Sequence, residues 1–82
     1  YVYIVRCRDK SLYTGVTTDV ERRVKEHNAK KGGNYTRSRL PVKLVYKKTH
    51  PNRSKALKNE ARVKRLTKWE KETLARAHQQ RK

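Results

Sequence analysis

The sequence lacks the features that mark disulfide-bonded, zinc-binding, membrane-spanning and secreted proteins. Its single cysteine, Cys7, allows no internal disulfide and supplies no zinc framework, so a reducing compartment such as the bacterial cytoplasm is expected. It has no run of about 18 apolar residues and no short apolar stretch after a basic start, so neither a membrane span nor a secretory signal is predicted. Phe and Met are absent and only 33% of the 82 residues are hydrophobic, so the core must be small.

Acidic residues are also scarce. Seven Asp and Glu residues stand against 24 Lys and Arg, which gives a formal net charge of +17 spread over both halves of the chain. Such a charge indicates a polyanionic partner, and nucleic acid fits best. An anionic membrane surface is disfavoured, because no predicted helix carries the bulky apolar stripe that lies in a bilayer interface. Charge alone does not separate an enzyme that acts on nucleic acid from a module that only binds it.

The hydrophobic pattern predicts one α+β domain with the order ββαβαα. Strands are expected at 1–7, 12–16 and 42–46, and helices from Thr18 to about Ala29, over 54–65, and from Thr67 to about Ala77. Residues 35–39 are predicted as a basic loop or single turn. The domain is expected to span 1–77, followed by a frayed basic C-terminus over 78–82.

Residue types at the helix starts predict how each helix is capped. Thr18 with Glu21, and Thr67 with Glu70, have the spacing of a capping box. Ser54 is the expected cap of the middle helix. Trp69 is expected to pack the last helix against the one before it.

The first helix places charged residues beside its buried face. At about 100° per residue, Val20 and Val24 must face the sheet, and Arg23 and His27 share one edge of that face. The alternative is that Arg23 extends to solvent and His27 is a half-exposed surface residue.

The second helix places a carboxylate, Glu60, among apolar residues. Its apolar side is formed by Ala56, Leu57, Ala61 and Val63. A carboxylate there is costly without a cation or a metal. The alternative is an ordinary ion pair with Lys64, four residues on. A site carboxylate that faces phosphate requires a divalent cation such as Mg²⁺ or Mn²⁺.

The first two strands carry two tyrosines, Tyr3 and Tyr13, on neighbouring strands. Either is an ordinary cross-strand aromatic when taken alone. A phenol beside a metal and a guanidinium can instead lose its proton and act as a base. Gly15 within the second strand indicates a close approach to the backbone.

Together these residues resemble the GIY-YIG nuclease domain. Tyr1-Val2-Tyr3 matches a degenerate first motif and Tyr13-Thr14-Gly15 the second. Arg23 follows eight residues after Gly15, His27 four residues later, and Glu60 stands on a later helix. The resemblance covers nearly all of 1–75 and is greatest to the small stand-alone bacterial members.

The resemblance implies a three-stranded antiparallel sheet flanked by three helices, one catalytic Mg²⁺ or Mn²⁺, and hydrolysis of phosphodiesters. Carried over from the family, Glu60 would hold the metal, and Tyr13 would activate the attacking water or itself act as the nucleophile. Arg23 would stabilise charge on the phosphate. Tyr3 would bond near the scissile phosphate, and His27 would orient or relay a proton, for instance by holding Tyr13.

The chain departs from the family pattern at several positions. Tyr1 stands where the motif name has Gly, Thr14 takes the middle of the second motif, and Val16 stands where many larger members place Lys. No Asn follows Glu60, although larger members use one, so metal binding is expected to be weaker.

A basic loop follows the first helix and is predicted to track phosphates and stack bases. The residues assigned to this interface are Lys30, Lys31, Tyr35, Thr36, Arg37 and Arg39. The alternative is a solvated loop. A homodimer or a protein partner is an open possibility that no sequence feature indicates.

The resulting hypothesis is a metal-dependent DNA endonuclease or nickase of low sequence specificity, used in DNA repair or processing. One rival is a non-catalytic DNA- or RNA-binding module on the same fold. Another is a basic RNA-binding accessory protein that carries the motifs by coincidence. The enzyme hypothesis requires Tyr3, Tyr13, Arg23, His27 and Glu60 to converge on one pocket. It loses its metal, and is abandoned, if Glu60 instead pairs with Lys64 on the surface.

Overall fold

The structure is a computed structural model that describes residues 1–79, except for the side chains of Asn34 and Gln79. The elements in chain order are β1 (Val2–Arg6), β2 (Leu12–Val16), α1 (Val20–Asn28), α2 (Asn34–Arg37), β3 (Lys43–Lys48), α3 (Arg53–Lys64) and α4 (Lys68–Gln79). The predicted α+β fold is confirmed. One helix, α2, is added to the three predicted, and it is a single turn within the segment expected to be a loop or turn.

The sheet has three antiparallel strands in the order β2-β1-β3, as the resemblance implied. The register places Tyr3 opposite Gly15 and Val5 opposite Tyr13, so the two tyrosines lie diagonally on one face. Since β1 runs against both neighbours, its first residues lie beside the last residues of β2 and β3. This end of the sheet carries the site described below.

Each face of the sheet is covered by helices. Tyr3, Val5 and Cys7 pack with Val20 of α1 on one face. Ile4 and Val45 pack on the other face with Val63 of α3 and Ala75 of α4. Full burial of a Val or Ile side chain is worth about 1.5–3 kcal/mol. The small core is therefore divided into two layers around β1.

Two of the predicted helix caps are wrong by one or two residues. Asp19, and not Thr18, caps α1, because its carboxylate accepts a hydrogen bond from the Arg22 backbone N–H at 3.1 Å. Asn52, and not Ser54, caps α3 through the Lys55 N–H.

The third predicted cap is confirmed as a reciprocal capping box. The Thr67 N–H donates to Glu70 Oε1 at 3.0 Å, and the Glu70 N–H donates to Thr67 Oγ1 at 3.2 Å.

Two further predictions, both about α4, are wrong. Trp69 does not pack against α3, since 71% of it is exposed. The predicted frayed segment begins too early, because His78 and Gln79 belong to α4. The prediction for 80–82 lies outside the described residues.

Within residues 1–79, no helix is long and apolar enough to cross a membrane.

Candidate active site

A cavity of about 610 Å³ opens at the end of the sheet where β1 begins. Its wall combines the first two strands, the start of α1 and the first turns of α3. Four of the five predicted catalytic residues line it: Tyr3, Tyr13, Arg23 and Glu60. The fifth, His27, lies behind the wall and reaches the site through Tyr3. Four of the five residues that the enzyme hypothesis requires in one pocket therefore share it, and His27 supports Tyr3 from behind.

The position of Tyr3 depends on Gly15 directly across the strand pair. A Cβ at Gly15 would lie 2.5 Å from Tyr3 Oη and 2.7 Å from Cζ. Only a glycine leaves room for the ring to cross β2 at this point. The close approach predicted from Gly15 is confirmed, and the group that approaches is the Tyr3 ring.

His27 is fully buried, so the alternative of a half-exposed surface histidine is wrong. Its Nε2 lies 2.9 Å from Tyr3 Oη, and its Nδ1 lies 2.8 Å from Thr36 Oγ1. Tyr13 touches the His27 ring edge-on, with centroids 5.6 Å apart. The hydrogen-bonded tyrosine is therefore Tyr3, which corrects the expectation that His27 holds Tyr13.

The hydrogen bonds around His27 indicate which of its two ring nitrogens carries the proton. The Thr36 hydroxyl donates to the Gly33 carbonyl oxygen at 3.2 Å, so the same hydroxyl must accept from His27 Nδ1–H. Burial lowers the pKa of His27, assisted by the Arg23 charge, so the ring is neutral near pH 7. Nε2 then carries the lone pair and accepts the Tyr3 O–H.

Arg23 lies between the phenol and a carboxylate of its own helix. Its Nη1 lies 3.3 Å from Glu26 Oε1, and both Arg23 and Tyr3 line the cavity. Burial raises the pKa of Tyr3, and the nearby Arg23 guanidinium opposes that rise. A guanidinium at this position can donate to a phosphate oxygen in the cavity while it steadies the phenol.

Glu60 both lines the cavity and forms an ion pair with Lys64, the two arrangements considered for it from the sequence. Its side chain is 19% exposed and lines the cavity, while Oε2 lies 3.4 Å from Lys64 Nζ. Lys64 is 54% exposed and does not line the cavity, so the pair sits at its rim. An i,i+4 pair whose lysine is exposed is weak, about 0.3–0.5 kcal/mol, so a cation could compete with Lys64 for the Glu60 carboxylate.

The donor set fits a magnesium-type ion held by one protein carboxylate. No cluster of three or more His, Cys, Asp or Glu suited to a metal occurs within residues 1–79. Mg²⁺ commonly uses one or two carboxylates, with waters and substrate phosphates completing its shell. Glu60 is the residue that would hold such an ion.

The predicted nucleic-acid interface divides into surface and interior residues. Lys30, Lys31 and Arg37 are exposed. Thr36 is fully buried on His27, so its assignment to the interface is wrong, and its role is to fix the histidine. The error arose because a four-residue helix turns one side chain inward, which a loop prediction does not anticipate.

The other two interface residues form a packed cluster at the surface. Tyr35 stacks on Tyr13 with centroids 5.8 Å apart and planes at 25°. The Arg39 guanidinium lies 4.0 Å from the Tyr35 ring centre and donates to Asp9 Oδ2 at 3.0 Å. Arg39 therefore holds Tyr35 in place next to the cavity.

Three residues of this region were not singled out by the sequence. A Cβ at Gly32 would lie 2.8 Å from His27 Cε1 and 2.9 Å from Cγ, so Gly32 closes the histidine pocket. His50 and Arg53 line the cavity from the connection before α3 and from its first turn. The pair Gly32-Gly33 suggested only a helix end, and the other two stand in a segment whose path the sequence does not define.

Comparison with known proteins agrees with this geometry. Residues 1–73 match the family described as the GIY-YIG catalytic domain. The fold, the tyrosine-lined cavity and this match define the class of protein: a catalytic domain of a nuclease family. The chain belongs to the GIY-YIG family, and so the motif set is not a coincidence.

Its relatives include small proteins of a similar size. A UPF0213 protein of Haloquadratum walsbyi is 57% identical over 75 residues, covering 92% of this chain and 84% of the relative. A UPF0213 protein of Streptococcus sanguinis is 51% identical, covering 87% and 82%. The solution NMR structure of UPF0213 protein BH0048 from Bacillus halodurans is 46% identical, with a TM-score of 0.59 over 93% of this chain and 81% of that one.

Proposed function

We propose that this protein is a divalent-metal-dependent endonuclease or nickase that hydrolyses DNA phosphodiesters with low sequence specificity, in DNA repair or processing. The supporting observation is the shared cavity of Tyr3, Tyr13, Arg23 and Glu60, with His27 bonded to Tyr3 from behind. The net charge of +17 supports a nucleic-acid substrate. DNA is the substrate of the sequence-based hypothesis and is kept in this proposal.

In this proposal the proton acceptor for the attacking water is Tyr3, and not Tyr13 as the family resemblance implied. Tyr3 is the phenol with a proton acceptor already in place, since its Oη lies 2.9 Å from the lone pair of His27 Nε2. As water gives a proton to Tyr3 Oη, the phenol passes its own proton to Nε2, and the water oxygen bonds to phosphorus. The bond from phosphorus to the leaving oxygen breaks, and that oxygen takes a proton from solvent. General-base assistance of this kind is worth about 10²–10⁴ in rate.

Arg23 and Glu60 would act on the charge of the phosphate. Arg23 donates to the phosphate oxygens as charge grows on them, and removal of one such donor costs about 10²–10³ in rate. A metal held by Glu60 would neutralise part of the phosphate charge. Tyr13 forms the wall between the cavity and Tyr35 and positions the substrate.

The test is the nicking of supercoiled plasmid at low salt with Mg²⁺ or Mn²⁺. We expect nicking by the wild type, none above background by Glu60→Gln, and a loss of at least 10² with Tyr3→Phe. Tyr13→Phe keeps both ring contacts and should lose much less. Glu21→Gln removes an exposed carboxylate of α1 and is the matched control. Wild-type rates in Glu60→Gln would overturn the proposal.

A second candidate is a non-catalytic DNA- or RNA-binding module on the same fold. It is favoured by the Glu60–Lys64 ion pair and by the single cavity carboxylate among the described residues. Under this candidate no protein nicks the plasmid, while wild type and Glu60→Gln still retard it on a gel to the same extent.

A further inference from the structure

A second cleft lies on the other side of Tyr35 from the candidate active site. Its volume is about 250 Å³, and it is lined by Asp9, Ser11, Leu12, Tyr35, Lys68 and Lys71. The β1–β2 turn forms one side and the start of α4 the other. Tyr35 stacks on Tyr13, and Tyr13 lines the active-site cavity, so this stacked pair has one ring on each cleft.

The cleft holds positive charge that has no partner among residues 1–79. Lys71 is half-buried and Lys68 exposed, and neither is in any of the ion pairs of the described chain. Burial lowers the pKa of Lys71, and the Lys64 charge lowers it further. An ammonium group in such surroundings gains from an anion brought alongside it.

The one carboxylate in the cleft does not neutralise these lysines. Asp9 accepts hydrogen bonds from the Ser11 N–H at 3.0 Å, the Ser11 hydroxyl at 2.5 Å and Arg39 Nε at 3.0 Å. Arg39 in turn lies over the Tyr35 ring. The Asp9 carboxylate is therefore already bonded to Ser11 and to the arginine that packs on Tyr35. The side of the cleft formed by Lys68 and Lys71 stays positive.

We infer that this second cleft is a backbone subsite, in which Lys68 and Lys71 bind phosphates of the DNA whose scissile phosphate occupies the first cavity. The inference rests on the proposed function for the position of the scissile bond, though not for the binding itself. The path runs across the Tyr13–Tyr35 pair, and the subsite holds phosphates a few nucleotides away from the cleaved bond. It contacts backbone and not bases, which agrees with low sequence specificity.

The test compares two pairs of lysines with the same helical spacing. The double variant Lys68→Gln/Lys71→Gln removes the subsite charge from α4. The control, Lys55→Gln/Lys58→Gln, removes two exposed charges from α3 that line neither cleft. Gln has nearly the helix propensity of Lys, so both variants should fold. Binding to a 20-base-pair DNA duplex is measured by fluorescence anisotropy in EDTA, from 50 to 200 mM KCl.

Each phosphate contact contributes about 0.9 to the slope of log K against log salt. We expect the subsite variant to flatten this slope by about 1.8 and to weaken binding at 100 mM KCl by roughly tenfold or more. The control should keep at least half of the wild-type affinity and an unchanged slope. An equal change in both variants would mean that the lysines act only through net charge and would overturn the inference.

Plasmid nicking separates this inference from the proposed function. With saturating protein, the subsite variant should nick at the wild-type rate, and it should need more protein to reach that rate. A lower nicking rate of the subsite variant at saturating protein, with its DNA binding unchanged, would overturn the subsite inference. If the wild type does not nick but the slope still flattens only in the subsite variant, the proposed function fails and the backbone subsite stands.

Discussion

Replacement of Gly32 by Ala tests whether the buried histidine is held as rigidly as the structure indicates. None of the glycines has a positive φ, so an added methyl group acts only through what it touches. At Gly32 it would lie within 3.0 Å of three atoms of the His27 ring, which is fully buried. At the neighbouring Gly33 its nearest contact is Tyr13 Oη at 3.9 Å, an ordinary van der Waals distance.

The expected loss of stability follows from the contacts that the His27 ring would lose. To clear the methyl group, His27 has to move by roughly an ångström, which breaks its bonds to Tyr3 and Thr36. Two buried hydrogen bonds are worth about 1–3 kcal/mol and overpacking adds about 1–3 kcal/mol. The entropy that Ala removes from the unfolded chain returns about 0.4–1 kcal/mol. Gly32→Ala should therefore lower the free energy of unfolding by about 1–5 kcal/mol, with a central value of about 3 kcal/mol.

Urea unfolding followed by circular dichroism measures this difference. Gly33→Ala should stay within about 0.5 kcal/mol of the wild type, since the same entropy gain offsets the slightly poorer cap of α2. In a His27→Ala background the ring is gone, so Gly32→Ala should then be nearly neutral. If Gly32→Ala and Gly33→Ala unfold alike, the packing argument around His27 is refuted.

Two further predictions concern pH and a buried hydroxyl. Because the pKa of His27 is lower in the folded protein than its ordinary value of 6.5, the unfolded chain takes up a proton first as pH falls. The free energy of unfolding should be nearly constant between about pH 7 and pH 8 and fall from about pH 6.5 downward. His27→Gln should remove most of this slope, and an unchanged slope would contradict the assignment. Thr14 Oγ1 is buried without a hydrogen-bond partner in the described chain, so Thr14→Val should raise the free energy of unfolding by about 1 kcal/mol. Thr17→Val, at a half-buried position where the hydroxyl is bonded, serves as the control and should not stabilise.

The sequence by itself determined the elements that depend on local patterns. Alternation of side chains located β2 at Leu12–Val16, and residue spacing located the Thr67–Glu70 capping box. The helical period placed Arg23 and His27 at one edge of the buried face of α1 and left the burial of His27 open. The motif spacing gave the family, and with it the sheet and the set of site residues that the cavity brings together.

Only the tertiary structure decided what each of those residues meets. A helical wheel shows which way His27 points, but Tyr3 and Thr36 come to it from 24 and nine residues away. The reason that Gly32 must be a glycine, and that Trp69 stays in solvent, depends equally on groups distant in sequence. Local sequence sets conformation and the direction of a side chain, whereas burial and hydrogen-bond partners arise when separate elements pack together. For this protein the hydrogen bonds from His27 to Tyr3 and Thr36 belong to that second kind of information.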